Sequence, residues 1–421
     1  MVKIGILGVG TVGASVARIL QENADIIEAR AGKKIVVKSG VVKDLSKDRG
    51  VSIKLSDDPN DVIDDPEIDI VIELMGGVDE AYTLVKKALE QKKAVVTANK
   101  ALLAYHRYEL QELAGDIPFM YEASTAGGIP IIGALRSGLS ANHINAIQGI
   151  MNGTCNYMLT KMIHEGADYQ EILKEAQDLG YAEADPTFDV GGFDASHKLL
   201  ILASIAYGLD AKPEDILIEG IENITPTDVA FAKDFEYAIK LLGIAKKVGN
   251  KVELRVHPTM IPQESMLAKV DGVMNAVMVN GDCVGETMYY GPGAGGNATA
   301  SAVIADIVDI VRGNSGPMLG YKKPLESGLT LLPKEEIRSH YYLRMSVDDK
   351  KGVLAEVTRL FSELDISIEA MMQKPDIDKD ACVELLFVIH ECEEKTIQQA
   401  IVELEKLDVI HGKVGMIRIE Q

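Results

Sequence analysis

The chain has 421 residues, 47% hydrophobic and 25% charged, which is the balance of a soluble globular protein of two or three domains. A formal net charge of −21 excludes a nucleic-acid or anionic-membrane partner, since both require a basic footprint. Cys155, Cys283, Cys382 and Cys392 form no C-x-x-C pair, so there is no zinc signature and a reducing compartment is expected. Only residues 4–9 are apolar near the start, too few for a signal peptide, and no run reaches the roughly 18 apolar residues of a membrane span. The expected location is the cytoplasm.

A first domain is expected over residues 1–140. Residues 3–9, KIGILGV, read as a buried parallel strand that runs into Gly8-x-Gly10-x-x-Gly13 and then into helical spacing at Val16, Ile19 and Leu20. Strand, glycines and helix in that order form the dinucleotide fingerprint, with the free amides at the helix start facing a pyrophosphate. The second strand, 35–42, ends in Lys43 and Asp44, where an NAD-selective site more often presents an acid first. Lys43, Lys47 and Arg49 suit a 2′-phosphate, so NADP(H) is preferred and NAD(H) stays admissible; a solvated basic cluster is the plainer alternative. Strands at 68–74, closed by Gly76 and Gly77, and at 94–97, followed by Asn99 and Lys100, continue a parallel sheet. Gly76, Gly77, Thr97 and Lys100 then fall at its cofactor edge. In residues 119–132, FMYEASTAGGIPII, Glu122 leads into a glycine turn whose carbonyls suit a hard monovalent cation, although a plain turn would look the same.

A second, α+β domain is expected over 141–320. A strand at 143–151 leads through Asn152-Gly153-Thr154-Cys155-Asn156 to a helix at 157–165. Cys155 is open to two readings: the nucleophile of an aldehyde-oxidising dehydrogenase, or a buried inert thiol. Residues 180–199, GYAEADPTFDVGGFDASHKL, gather Glu183, Asp185, Asp189 and Asp194 ahead of an almost wholly apolar run at 199–206. A helix beginning near Asp194 sets Lys198 one turn later on the same face. An ammonium at such a boundary loses part of its solvation unless a carboxylate holds its charge, which is the setting a proton-transfer group needs. The plainer alternative is a surface ion pair. Further strands are expected at 251–258 and 276–279. The glycine-rich stretch 285–302 reads as a turn leading into a helix, near 297–312, that returns to the first domain and brings Gly295 to the cofactor; a simple flexible turn is the alternative.

Residues 321–339 have linker composition, and 340–421 form a third domain. Strands at 341–347, 366–371, 382–389 and 413–419 and helices at 353–364 and 394–407 give a βαββαβ order, the ferredoxin-like arrangement. Asp348, Asp349 and Gly352 form a loop at a helix start whose amides suit a small carboxylate, so the module reads as regulatory, with dimerisation as the alternative.

The motifs GVGTVG, VTANKALLA, YEASTAGGIPII, NGTCNY, GYAEADPT with DASHKL, GPGAGG and the final βαββαβ unit together resemble the monofunctional homoserine dehydrogenases that carry a C-terminal ACT domain. The resemblance covers essentially the whole chain. It implies reversible NAD(P)-dependent interconversion of L-homoserine and L-aspartate 4-semialdehyde, on the route to threonine, methionine and isoleucine. It also implies an oligomer, a homodimer or homotetramer, and threonine as effector. On matching positions, Lys198 corresponds to the family's proton donor and Asp194 to its partner. Gly180, Glu183, Asp189, Asp194, Lys100 and Thr154 fall to the substrate. Gly8, Gly10, Thr11, Val12, Gly13, Lys43, Gly76, Thr97, Lys100 and Gly295 fall to the cofactor. Glu122, Thr125, Gly127 and Ile129 match the family's sodium site, the last three through backbone carbonyls. Lys43 stands where many members have Arg, Gly191 replaces an acidic or polar residue, and Ala298 replaces a common Pro. Two other readings of the residues are a cysteine-dependent aldehyde dehydrogenase acting through Cys155 and a non-catalytic amino-acid and nucleotide sensor.

Overall fold

Short strands that are apolar on both faces, such as IVIE and AVVT, need cover on both sides, and the chain supplies it with helices. The computed structural model describes residues 1–323, 325, 328–375 and 382–421, so parts of the expected linker at 324 and 326–327, and the segment 376–381, lie outside the described residues. The first sheet has six parallel strands in the spatial order Lys54–Ser56, Ile35–Val41, Val2–Leu7, Ile70–Glu73, Ala94–Thr97 and Phe119–Met120. This is the doubly wound dinucleotide-binding arrangement, whose strand ends line one crevice. The strands at its two ends are additions to the four read from the sequence. Both are too short for periodicity to reveal.

The Gly296–Arg312 helix returns to this unit as expected. Val303 and Ile307 join the core formed by Ile4, Ile6 and Val16. Gly296 permits the approach, since a Cβ there would sit 2.9 Å from the Ser15 hydroxyl on the Thr11–Glu22 helix.

A second sheet unites the rest of the chain. Its path is Gly285–Pro292, Met274–Gly281, Ile144–Ile150, Tyr237–Val248, Lys251–Pro262, Ile410–Ile419, Arg338–Asp348, Cys382–Glu393 and Ile368–Pro375, with Leu217–Ile218 and Thr330–Leu331 beside Lys251–Pro262. The last four strands, with the Val353–Glu363 and Glu394–Leu404 helices, make the expected βαββαβ unit. That unit is joined edge to edge to the middle domain, because Thr259 and Met260 pair in parallel with Arg418 and Ile419. Two differences from the sequence reading are the largest in this sheet. The central strand Tyr237–Val248 was not anticipated, and residues 285–292, read as a turn, form a strand antiparallel to Met274–Gly281. The glycine turn proper is confined to residues 293–296.

The Phe193–Tyr207 helix lies on the second sheet and against the Lys100–Ala114 helix of the first unit. Its apolar run from Leu199 to Ala203 is almost inaccessible, so only the residues before Leu199 reach the crevice.

Candidate active site

The crevice is built first from glycines. Gly8 turns with φ +99°, and a Cβ there would lie 2.7 Å from the Leu74 carbonyl, while a Cβ at Gly13 would strike the Gly8 carbonyl. Gly10 faces open space, and the amides of Thr11, Val12 and Gly13 follow it at a helix start with no side-chain cap. One tight turn, one open approach and one close packing are the three roles the fingerprint assigns to its glycines. Gly76 also adopts positive φ at +75°, and Gly295 does so at +121° immediately before the returning helix. Lys43 is exposed just past the second strand.

Glu73 was missed by sequence reasoning and organises the crevice. It is buried at the end of the Ile70–Glu73 strand, where it accepts hydrogen bonds from Thr97 Oγ1 at 2.6 Å, Met75 N at 2.8 Å and Gly76 N at 3.3 Å. Burial pushes its carboxyl up, against those bonds. Asn99 continues the network. Its amide donates to the Gly77 carbonyl at 2.7 Å, and its oxygen caps the Lys100–Ala114 helix by accepting from Leu102 N at 3.0 Å. An acid closing an otherwise apolar strand was the signal that marked Glu73.

Opposite lies the start of the Phe193–Tyr207 helix. Lys198 Nζ donates to Asp194 Oδ2 and to the Met151 carbonyl, both at 2.7 Å, and its side chain is 12% exposed. Lys100 Nζ reaches the other carboxylate oxygen of Asp194 at 3.0 Å and lies 5.7 Å from the Phe188 ring centre. Burial alone would raise the Asp194 carboxyl, but Lys198 and then Lys100 outweigh it and hold the group below the usual carboxylate range. Asn152 fixes the acid from a third direction. Its amide donates to Asp194 Oδ2 at 2.8 Å and Asp189 Oδ1 at 2.7 Å, while its oxygen caps the Gly153–Glu165 helix through Cys155 N at 2.8 Å. Burial, the largest influence, raises the Asp189 carboxyl. An Asn before a helical run is a recognisable cap, but its grip on two carboxylates comes from the fold.

The remaining sequence candidates divide. Thr154 tethers the acidic loop by donating to the Tyr181 carbonyl at 2.7 Å, and Gly180 turns that loop with φ +76°. Glu183 is exposed on the same loop, and the partners that hold Asp194 are Lys198, Lys100 and Asn152. Cys155 is fully buried, donates to the Asp189 carbonyl at 3.2 Å, and has its thiol pushed well up by burial. That is an inert thiol, because a nucleophile needs a reachable thiolate.

Glu122 accepts from Ile132 N at 2.8 Å and Gly133 N at 2.7 Å, and beside it Asp306 accepts from Glu122 N at 2.8 Å. Burial raises both carboxyls, Asp306 well above its ordinary value, with Glu122 adding to that rise. Ala126 and Gly127 follow at φ +55° and +54°, turning the chain between Thr125 and Ile129, and Gly128 N donates to the Pro292 carbonyl at 3.3 Å.

A dinucleotide-binding sheet whose strand ends meet a lysine and carboxylate cluster from a second domain defines an NAD(P)-dependent oxidoreductase. Family models described as homoserine dehydrogenase match residues 130–308, as homoserine dehydrogenase NAD-binding domain 8–117, and as ACT domain 341–409. A homoserine dehydrogenase of Helicobacter pylori is 54% identical over 418 residues, covering 99% of each chain. One of Pseudomonas aeruginosa is 47% identical over 430 residues, covering 100% of this chain and 99% of its own. The crystal structure of a homoserine dehydrogenase from Thiobacillus denitrificans superposes with a TM-score of 0.94 at 46% identity, covering 100% of this chain and 98% of that one. A hyperthermophilic archaeal homoserine dehydrogenase in complex with NADPH matches with a TM-score of 0.63 at 29% identity, over 76% of this chain and 99% of its own. The chain belongs to the homoserine dehydrogenase family, and it is an NAD(P)-dependent oxidoreductase that acts on the homoserine hydroxyl.

Proposed function

We propose that Lys198 carries the proton in this reaction and that Asp194 positions it. The observation that carries the reading is the amine's incomplete satisfaction. Two of its donors are fixed on Asp194 and Met151, which leaves the third for a substrate oxygen at the crevice. A bound nicotinamide supplies the hydride acceptor. As the C4–H pair leaves homoserine as hydride, the hydroxyl must give up its proton, and the amine in its neutral form takes it. In the reverse direction the ammonium protonates the alkoxide formed from the semialdehyde. Lys100 spans the two domains and is suited to touch both cofactor and substrate. Glu183, exposed on the acidic loop that Gly180 turns and Thr154 tethers, is available to the substrate ammonium, and Asp189 is a further acid for the substrate.

NADP(H) is the preferred cofactor on this reading. Lys43 follows the second strand, Arg49 has a buried Nε without a hydrogen-bond partner, and the archaeal relative was solved with NADPH. The phosphates fit the Gly8–Gly13 turn, with Thr97, Gly76 and Gly295 along the crevice. A sodium ion fits the turn of Glu122, Thr125, Gly127 and Ile129, where two carboxylates are buried together and the Thr125 hydroxyl has no partner. Threonine is the proposed effector at the loop of Asp348, Asp349 and Gly352. A cytoplasmic homodimer or homotetramer in threonine, methionine and isoleucine biosynthesis completes the reading.

Homoserine-dependent NADPH formation tests it. Lys198→Ala should lower kcat by about 10² to 10⁴ while NADPH binding persists, and a loss smaller than about tenfold would remove Lys198 from the role.

A further inference from the structure

We infer that the C-terminal unit carries a divalent metal site made by His340, Glu369 and His390. These residues lie on three adjacent strands, Arg338–Asp348, Ile368–Pro375 and Cys382–Glu393, with His390 on the middle one. Regular pairing is broken on both sides of that strand. Ser339 faces Cys392 while Tyr341 faces Ile389, so His340 interrupts one ladder. Ile368 faces Ile389 while Ala370 faces Val388, so Glu369 is the extra residue of the other. Bulges re-aim side chains, and here two neighbouring irregularities bring three ligand types to one point.

The spacing between them is that of ligands rather than of hydrogen-bond partners. Glu369 Oε2 is 3.6 Å from His340 Nδ1 and 3.7 Å from His390 Nδ1, and all three ligand atoms lie within 4.8 Å of one another. Direct N–H···O bonds end near about 3.2 Å. A tetrahedral ion with bonds of about 2.0–2.1 Å separates its ligands by roughly 3.3–3.4 Å, so a small closure of these atoms makes three corners of such a site. A second observation concerns burial. His340 Nδ1 is buried and has no hydrogen-bond partner, a state that buried polar atoms rarely keep.

A second trio, Asp348, Cys382 and His411 at the far end of the same strands, differs. There His411 Nε2 and Lys350 Nζ already hold Asp348 at 2.7 and 2.9 Å. Two imidazoles and one carboxylate select a borderline ion such as Zn²⁺, Co²⁺ or Ni²⁺ over Mg²⁺ or Ca²⁺, which prefer all-oxygen sets. Exposure of Glu369 and His390 leaves the fourth position to water. An ion there would staple three strands beside the middle domain, to which Lys374 of the Ile368–Pro375 strand is tied through Asp234 at 2.9 Å.

The test uses the full chain, freed of metal by chelator and titrated with ZnCl2 by calorimetry and with CoCl2 by visible absorption. One equivalent should bind per chain with the intense bands of tetrahedral cobalt, and Zn²⁺ should raise the thermal midpoint. His390→Gln, an exposed substitution whose folding is checked by unchanged homoserine oxidation, should weaken binding more than about tenfold and abolish the thermal shift, as should Glu369→Gln. Cys382→Ser should leave binding intact. No saturable equivalent, binding that survives His390→Gln, or binding lost in Cys382→Ser would each overturn the proposal.

Discussion

Two buried ion clusters in this molecule use the same functional groups in opposite ways. At the crevice, one carboxylate, Asp194, lies between two lysines. At the seam with the C-terminal unit, one guanidinium, Arg418, lies between two carboxylates. It meets Glu219 twice at 2.7 Å and Glu394 at 2.6 and 2.9 Å, with Tyr341 also donating to Glu394 at 3.0 Å. The seam uses a residue that keeps its proton under all working conditions, and it engages nearly every donor. The crevice uses lysine amines, and Lys198 has two of its three donors engaged. Closure suits stability, and incompleteness suits the proton transfer proposed for Lys198.

Breaking the crevice cluster should have the largest effect. Asp194→Asn removes the charge that both lysines share, and kcat for homoserine oxidation should fall about 10² or more, with a smaller change in thermal midpoint. The reverse split is expected at the seam. Arg418→Met strands buried Glu394 and half-exposed Glu219, so calorimetry should register a loss of about 3–5 kcal/mol, with kcat per folded molecule changed far less than in Asp194→Asn. Equal loss of activity in both variants would dissolve the contrast.

A pH series sharpens it further. His257 is buried between Arg255 and Arg418, and burial first, then those two cations, hold its pKa well below 6.5. The unfolded chain therefore takes up this proton first as pH falls. The histidine's contribution to stability is complete above about pH 6.5 and declines below it. Thermal midpoints measured between pH 8 and 5 should fall less steeply in His257→Gln than in the parent chain. Asp194 acts lower, because its depressed carboxyl gives stability that is present above the ordinary carboxylate range and is lost as pH drops through its folded value. The smallest effect is expected at Cys155. Cys155→Ala should change kcat by less than about tenfold, since the buried thiol is no nucleophile, and a larger loss would reopen the cysteine reading.

Much of this was readable in advance. The glycine spacing at residues 8–13, the i, i+4 pairing of Asp194 with Lys198 and the alternation of the last unit are local patterns, and local geometry follows from them. Strand Tyr237–Val248 was harder to see. It is buried over most of its length, so its alternation is erased and lysines such as Lys240 interrupt it, satisfied by the distant Asp271, the Val270 carbonyl and Asn156. Glu73 and Asn152 were overlooked for a related reason. A carboxylate under Thr97, or an amide joining Asp189 to Asp194, has meaning only once separate segments meet.

The amino-acid order alone determined the nucleotide turn, the helix that carries Lys198 and the βαββαβ character of the last unit, because each is specified by contacts within a few residues. Only the folded chain decided that Lys100 shares Asp194 with Lys198, that Cys155 is sealed, and that the last unit continues the middle domain's sheet at Thr259 and Arg418. Those outcomes depend on which distant surfaces exclude water from one another, and no short stretch of sequence contains that.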